Sequence, residues 1–206
     1  MLSPVRALLD ANVLYSHHLR NLLLQLAQND VFDARWSELI EQEWLRNTQL
    51  ATRERIASRT IPLIRTWFTG ALVVSFDPER VIGVTDSEDR HVASAAAAIA
   101  PSVLVTENLK DFDFAALAEL GVEVQTPDDF LTDLFDATPA LVEAATREAL
   151  DNLKRSTPSW DEYLAALAGR HKLPKFVERL RSWKPEDVEQ PAAPERNRMP
   201  IWASSV

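Results

Sequence analysis

The stretch VRALLDANVL, residues 5–14, decides the fold class, because it is apolar along most of its length and then reaches an acid, Asp10, followed by Asn12. A short apolar run bounded by polar residues is typical of a buried strand. Such a strand gains nothing from a terminal carboxylate unless a group beyond the strand's end uses the charge. Asp10 is therefore the first candidate functional residue.

Further strand-like stretches alternate with segments of helical period. The strand-like stretches are ALVVSF (71–76), SVLVT (102–106) and VEVQ (122–125), of which the first two are predicted to be buried. The helical segments are SHHLRNLLLQLAQN (16–29), SELIEQEWLRN (37–47) and DRHVASAAAAIA (89–100). This alternation predicts parallel strands covered by helices on both faces. Ligands of such sheets bind beyond the carboxyl ends of the strands, where Asp10 and Thr106 fall.

The pattern changes near residue 137, where strand-like stretches stop. Three helices are predicted there, in TPALVEAATREALDNLKRS (138–156), TPSWDEYLAALAGRH (157–171) and LPKFVERLRSW (173–183). A proline-rich tail follows, which we expect to be extended. We therefore predict an α/β domain over residues 1–136 and a small all-α extension over residues 137–206.

Charge divides along nearly the same boundary. Residues 1–137 carry 11 Lys and Arg against 21 Asp and Glu, whereas residues 138–206 carry 11 against 10. An acidic domain repels nucleic-acid phosphates unless cations intervene. The basic side chains near the last helix either form a solvated surface or bind RNA or a protein partner. They are Lys172, Lys175, Arg179, Arg181 and Lys184.

The composition excludes several kinds of site. The chain has no cysteine, which rules out disulfides, thiolate zinc sites and a cysteine nucleophile, and favours a cytoplasmic location. Its four glycines form no phosphate-binding loop, and its four histidines show no HExxH spacing. We expect no signal peptide and no membrane span, because no long apolar run occurs. Any metal must therefore be held by oxygen.

Several polar groups besides Asp10 are candidates for such a site. Glu43 lies on the helix 37–47, Asp86 and Asp89 precede the alanine-rich helix, and Asn108 and Asp111 follow the strand 102–106. Taken singly, each has an ordinary explanation, such as helix capping by Asp89 or Asp111. Carboxylates brought close together repel one another unless a cation shares them, and Mg²⁺ or Mn²⁺ suits oxygen ligands best.

The order of the motifs is similar to that of the PIN-domain ribonucleases, and more closely to that of the VapC-like toxins of toxin–antitoxin pairs. The matching pieces are LLDANVL (8–14), SELIEQEW (37–44), DSEDRHVASAA (86–96), VLVTENLKDF (103–112) and TPDDFL (126–131). The resemblance covers roughly residues 4–136. It implies a three-layer α/β/α PIN-like domain with a central parallel sheet, and Mg²⁺- or Mn²⁺-dependent cleavage of RNA.

The resemblance also implies roles for individual residues. The family's first acid falls on Asp10, its helical glutamate on Glu43, and its third acid on Asp89 rather than Asp86. Asp10 and Asp89 are then metal ligands, and Glu43 orients them or accepts a proton. A divalent ion would neutralise the phosphate and activate a water for in-line attack.

One position departs from the family pattern. Two residues after the strand-end Thr106 the family often has an acid, whereas this chain has Asn108. Asp111 can supply part of the missing charge, and Asn108 can offer a carbonyl oxygen. The predicted metal ligands are therefore Asp10, Asp89 and Asp111, with one or two ions left open.

The resemblance implies an RNA substrate, a cognate antitoxin and a homodimer. Arginines flanking the acidic pocket would steer the RNA strand. They are Arg53, Arg55, Arg59 and Arg65.

Two alternatives stay open. A haloacid-dehalogenase-like phosphatase also places an aspartate after its first strand, but needs an acid where Asn12 stands and late metal-binding acids, for which only TPDDFL (126–131) offers candidates. A non-catalytic PIN-like interaction module is favoured by Asn108 and opposed by the acids Asp10, Glu43 and Asp89.

Overall fold

The computed structural model of the protein describes residues 4–153 and 158–184. Its strands are β1 (Arg6–Leu9), β2 (Asp33–Arg35), β3 (Ser102–Val105) and β4 (Val122–Gln125). Within the described residues they form one parallel, four-stranded sheet in the order β2-β1-β3-β4. The predicted α/β fold, with a central parallel sheet and a helical C-terminal part, is confirmed.

Helices flank this sheet. Those preceding the last strand are α1 (Ala11–Tyr15), α2 (His17–Gln28), α3 (Glu38–Asn47), α4 (Leu50–Arg55), α5 (Ile61–Trp67), α6 (Arg90–Ala98) and α7 (Phe114–Glu119). A π-helical turn, Ile56–Thr60, joins α4 to α5, and a 3₁₀ turn, Leu109–Asp111, precedes α7. The three helices predicted between the strands correspond to α2, α3 and α6 and are confirmed.

Side-chain caps explain where two of these helices begin. The hydroxyl of Ser16 accepts the N–H of Leu19 at the start of α2, and the hydroxyl of Ser37 accepts the N–H of Ile40 at the start of α3. Each hydroxyl satisfies an N–H group that has no partner within the helix. Ser16 and Ser37 therefore set where α2 and α3 begin.

One strand prediction is wrong. Of the stretch 71–76, only Leu72 forms a bridge, to Trp36, and Val74 is 80% exposed. The stretch lies beyond the end of the edge strand β2, so neighbouring backbone pairs with it on one side only. The strand that completes the sheet is the short segment β2, which the periodicity did not predict.

The sheet reverses its order of winding between β1 and β3. β1 pairs with β2 on one side, where Arg6 lies opposite Asp33, and with β3 on the other, where Leu9 lies opposite Val105. After β1 the chain continues toward one edge of the sheet, and after β3 it continues toward the other edge. A crevice therefore opens between the carboxyl ends of β1 and β3, and ligands of such sheets bind in that crevice. Asp10 and Thr106 occupy that crevice.

The C-terminal part is helical, as predicted, with α8 (Pro127–Ala137), α9 (Pro139–Asp151), α10 (Trp160–Gly169) and α11 (Pro174–Ser182). α9 packs against α2, and α11 packs against α8 and α10. The boundary after residue 136 stays a prediction. The tail predicted to be extended lies, from residue 185 onward, outside the described residues.

A buried carboxylate fixes α11. The apolar face of this helix, Phe176, Val177 and Leu180, is buried. At its N-terminus, Asp128 of α8 accepts the N–H groups of Lys175 at 3.2 Å and Phe176 at 3.0 Å, and Asp128 is only 7% exposed. A carboxylate from another helix therefore caps α11 and fixes its position against α8.

The basic residues of α11 are engaged with the same neighbour. The ammonium of Lys175 pairs with Asp129, and the guanidinium of Arg179 pairs with Asp136. Both acids belong to α8. The basic side chains near the last helix are expected from the sequence either to form a solvated surface or to bind RNA or a protein partner. At Lys175 and Arg179 these ion pairs favour the solvated surface.

We expect Asp128→Ala to lower the free energy of unfolding by about 1–3 kcal/mol, because the two N–H groups lose a buried acceptor. Asp136→Ala removes the same charge from the same helix but breaks only an exposed ion pair, so its cost should stay below about 1 kcal/mol. Urea unfolding of the three proteins measures both values. Equal losses for the two variants would contradict the proposed cap.

Candidate functional site

Asp10 lies at the carboxyl end of β1 and is only 2% exposed. Its Oδ1 accepts the N–H of Ala11 at 2.6 Å. Its Oδ2 accepts the side-chain amide of Asn12 at 2.6 Å and the hydroxyl of Thr106, at the end of β3, at 2.7 Å. A buried carboxylate is costly unless donors surround it, and these donors come from both sides of the crevice.

Asn12 and Thr106 are hydrogen-bonded to each other as well as to Asp10. The amide nitrogen of Asn12 lies 3.0 Å from the hydroxyl oxygen of Thr106, which also accepts the N–H of Asn108 at 3.0 Å. With N–H groups directed at this oxygen, its single proton goes to Asp10. The amide oxygen of Asn12 accepts the N–H of Glu107 at 3.2 Å. The two residues thus fix the ends of β1 and β3 relative to each other.

Neither Asn12 nor Thr106 is among the site residues predicted from the sequence. Their residue types and positions could have indicated a role, since both can form hydrogen bonds and both follow strands that are neighbours in the sheet. The pairing of β1 with β3, which is needed to infer that role, comes from residues far apart in the chain.

The pKa of Asp10 is raised above its usual value. Burial is the main cause, and the negative charge of Glu43 adds to it, while the bond from Thr106, the bond from Ala11 and the nearby His91 act in the opposite direction. The carboxylate is thus held by donors yet lacks a full counter-charge. A cation nearby would stabilise its ionised form.

Asp89 carries the second perturbed carboxyl group. Its pKa is raised to about 6, first by burial and then by the negative charges of Asp10, Asp111, Glu43 and Asp86. We call Asp10, Glu43, Asp89 and Asp111 the carboxylate cluster. The fold therefore places these predicted site acids close enough for their negative charges to affect one another's pKa.

Helix capping does not explain Asp89. It precedes α6, but its side chain makes no capping hydrogen bond. Its backbone carbonyl accepts the N–H groups of Val92 and Ala93 instead. Asp86 is exposed and binds the N–H of Glu88 within its own turn. The side chain of Asp89 is therefore available to the cluster.

Glu43 connects α3 to α6. Its Oε2 lies 3.4 Å from Nε2 of His91, and its side chain is 27% exposed. Glu41, on the same helix, is buried and has a structural role, because it accepts the indole N–H of Trp36 at 2.8 Å and binds the guanidinium of Arg65. The predicted glutamate is thus the one that lies at the cluster.

Asp111 ends the 3₁₀ turn after β3, and the side-chain amide of Asn108 donates a hydrogen bond to its carboxylate. The interpretation of Asp111 as a helix cap is wrong, because α7 is capped by Asp113, whose Oδ1 accepts the N–H of Ala116 at 3.0 Å. Asn108 instead orients Asp111, as expected if both belong to one site.

The arginines expected to steer a substrate are partly engaged within the protein. Arg65 binds Glu41 and lies 3.6 Å from Glu38, and Arg53 donates to backbone carbonyl groups, that of Arg46 among them. Arg59 is exposed. Substrate steering by all four predicted arginines would require these intramolecular bonds to break.

No three His, Asp or Glu side chains of residues 4–153 and 158–184 come together as a ready-made metal site. The donor set nevertheless has the chemistry of a divalent-cation site: it consists of oxygen ligands only, with one buried acid and a second acid whose pKa is raised by burial and by the neighbouring carboxylates. Asp10, Asp89 and Asp111 as ligands stay a prediction.

The late acids of TPDDFL (126–131) are bound by groups of the helical C-terminal part and of their own turn. Asp128 caps α11, and Asp129 binds Lys175 and the hydroxyl of Thr126. A haloacid-dehalogenase-like phosphatase would need acids in this region to hold its metal. Asn12, at the position of its second acid, donates to Asp10 and has no proton to transfer.

The parallel α/β sheet with acids at its β1–β3 crevice, followed by a helical extension, agrees with the fold that the resemblance to PIN domains implies. In the comparison with family models, residues 127–182 match the VapC50 C-terminal domain. This match covers the helical C-terminal part of the chain and relates that part to the C-terminal domain of a VapC toxin. No curated protein and no solved structure matches it significantly. None of the described helices is long and apolar enough to cross a membrane.

We expect Asp89→Asn to be more stable than the wild type in chelator at pH 7, by about 1–2 kcal/mol after allowance for solvent screening. The wild-type carboxyl group has its folded pKa above its unfolded one, so the folded state binds the extra proton between about pH 4 and 6. The wild type is therefore destabilised above that window and recovers as the pH falls. The advantage of the variant should shrink between pH 7 and 4.5 in urea unfolding.

Asp86→Asn provides the control, because Asp86 is exposed and is the weakest of the causes that act on Asp89. Its effect should stay within about 0.5 kcal/mol at both pH values. If Asp89→Asn is instead less stable than the wild type at pH 7, Asp89 stabilises the start of α6 and does not belong to a repulsive cluster.

Proposed function

We propose that this protein is a Mg²⁺- or Mn²⁺-dependent endoribonuclease that hydrolyses RNA phosphodiester bonds and acts as the toxin of a toxin–antitoxin pair. The observation that supports this most directly is the carboxylate cluster at the β1–β3 crevice, in which burial and then the charges of the neighbouring acids raise the pKa of Asp89 to about 6. A protein keeps such repulsion where a function uses it. The match of residues 127–182 to the VapC50 C-terminal domain supports the same conclusion.

Asp10, Asp89 and Asp111 would hold the divalent ion, which neutralises phosphate charge and makes water a better nucleophile when it is bound. Asp10 is prepared for this role by Asn12 and Thr106, which direct its carboxylate. Such outer hydrogen bonds usually set the orientation of metal-binding acids. The ion also removes the obstacle that an acidic pocket presents to RNA.

Glu43 would accept a proton from the attacking water while the oxygen of that water bonds to phosphorus. The ester P–O bond then breaks, and the leaving oxygen takes up a proton from solvent. The carboxylate of Glu43 lies at the cluster and 3.4 Å from the imidazole of His91, which can stabilise the charge and receive the proton in turn. Asn108 would orient Asp111 through its amide N–H and offer its amide oxygen to the ion or to its waters.

RNA as substrate, a cognate antitoxin as protein partner and a homodimer as the assembly belong to the same proposal, because these are the properties that the family implies. The cytoplasmic location also stays a prediction from the sequence. Co-purification with the product of the adjoining gene, followed by its effect on RNA cleavage, tests the antitoxin partner.

The proposed ribonuclease, the phosphatase and the non-catalytic interaction module can be distinguished by which substrate, if any, the protein hydrolyses. The purified protein should cleave RNA in Mn²⁺, leave RNA intact in chelator, and leave a generic phosphomonoester intact in both. Hydrolysis of the phosphomonoester alone would support the phosphatase, and no hydrolysis of either would support the interaction module.

We expect Glu43→Gln to reduce RNA cleavage by at least a hundredfold, because glutamine cannot accept the proton, while the melting temperature stays close to that of the wild type. Glu38→Gln makes the same change on the exposed side of the same helix and should leave the rate within about twofold. Single-turnover cleavage at saturating RNA measures both. A wild-type rate in Glu43→Gln would remove Glu43 from the site.

We expect Asp10→Asn to abolish cleavage and to lose most of the stabilisation by metal. At about a hundredfold excess over its dissociation constant, the ion should stabilise the wild type by about 2.7 kcal/mol. Thermal melts with chelator and with a Mn²⁺ series measure this response. Glu43→Gln serves as the control, since it should keep the response while losing turnover. An undiminished response in Asp10→Asn would show that Asp10 is not a ligand.

A further inference from the structure

The loop between α10 and α11 brings the C-terminal helices to the edge of the carboxylate cluster. In this 170–173 loop, Nδ1 of His171 lies 3.1 Å from the hydroxyl of Ser16, at the start of α2. The ammonium of Lys172 lies 3.8 Å from the carboxylate of Glu107. Glu107 is the residue after Thr106, and its N–H donates to Asn12. The loop therefore lies beside the residues that hold Asp10.

This loop carries positive charge to an acidic domain. Arg170 is exposed, and the side chain of Lys172 is 77% exposed. The ion pair of Lys172 with Glu107 is long and largely in solvent, so a phosphate can replace the carboxylate at little cost. Lys172 has a φ of 54°, in the left-handed region, which turns the chain sharply between α10 and α11.

Imidazole rings lie next to these cations. The rings of His171 and His18 are 5.0 Å apart with an angle of 30° between their planes, and His17 meets His18 edge-on at 5.4 Å. Burial, then the charge of Arg170, lowers the pKa of His18. The pKa of His171 is lowered to about 4 by burial and by the charges of His18 and Arg170. The rings of His171 and His18 are therefore neutral at pH 7, so they offer planar, uncharged surfaces.

We propose that the 170–173 loop and His18 bind the single-stranded RNA beside the phosphate that is cleaved: Arg170 and Lys172 contact the flanking phosphates, and the paired rings of His171 and His18 stack on a base. This inference rests on the proposed function. Cations that follow the backbone, next to rings that stack on bases, are how proteins bind single strands without reading their sequence. An acidic peptide would use the cations but has no need of the rings.

The test measures RNA affinity in the cleavage-deficient Glu43→Gln background, with Mn²⁺ at a fixed concentration, by the fluorescence anisotropy of a labelled single-stranded RNA over a salt series. Adding Arg170→Gln and Lys172→Gln together should weaken binding about tenfold at low salt. It should also make the plot of log affinity against log salt shallower by about 1.4, since each phosphate contact to a single strand contributes about 0.7.

Two further substitutions control for loss of charge and loss of fold. Arg181→Gln removes a charge from α11 about 10 Å further along the helix axis, so the slope should stay unchanged. Lys172→Gly removes the charge where the backbone favours glycine, so this variant should melt no lower than its parent and still lose about 0.7 of slope.

The rings are tested separately from the charges. His171→Ala should weaken binding about tenfold with an unchanged salt slope, because the loss of stacking removes no ion pair. His171→Phe keeps an aromatic ring and should bind within about threefold of its parent. Circular dichroism melts of both variants establish that they are folded at the assay temperature.

The outcomes separate this inference from the proposed function. If the wild type neither cleaves nor binds RNA, the proposed function fails. If it cleaves and binds RNA, but the loop variants bind with the affinity and slope of their parent, the loop is not part of the RNA site. Loop variants that bind RNA normally but no longer bind the adjoining gene's product would overturn the inference in favour of a protein partner.

Discussion

The hydrogen bond from Thr106 to the buried carboxylate of Asp10 is the interaction on which the organisation of the site depends. It joins the ends of β1 and β3 at the one place where the sheet reverses its winding. A carboxylate enclosed at this depth requires donors, and the neighbouring strand is close enough to supply one. The side-chain amide of Asn12, just after β1, also donates to Asp10 and bonds to the hydroxyl of Thr106.

Donors from the protein satisfy Asp10 but do not relieve the charges around it. The acids surrounding Asp89 come from separate elements, with Glu43 on α3 and Asp111 on the turn after β3. A fold selected for stability alone would separate them, because repulsion in a half-buried place lowers the free energy of unfolding. The apolar core and the cap that Asp128 provides to α11 offset the free energy that this repulsion costs.

Local patterns predicted much of this fold, and contacts between distant residues account for what they missed. The strands β1, β3 and β4 have apolar runs long enough to recognise, whereas β2 is three residues long and shows no periodicity. The stretch 71–76 has a strand's composition but lies beyond the end of the edge strand, where pairing supports one bridge. Asp10 and Asp89 could be proposed from their places at a strand end and a helix start, whereas Glu43, inside α3, could be proposed from the resemblance to PIN domains. The roles of Thr106 and His171 could not, because each depends on a partner remote in the chain.

That remoteness has a consequence for how the protein is made. Asp10 and Thr106 are 96 positions apart, and Ser16 and His171 are 155 apart. Contacts of such long range form late, after the local helices, because closing a long loop costs entropy that nothing yet offsets. During translation, the carboxylate of Asp10 therefore has no hydroxyl from β3 until residue 106 has been added. The order of synthesis delays completion of the acidic crevice until most of the chain exists.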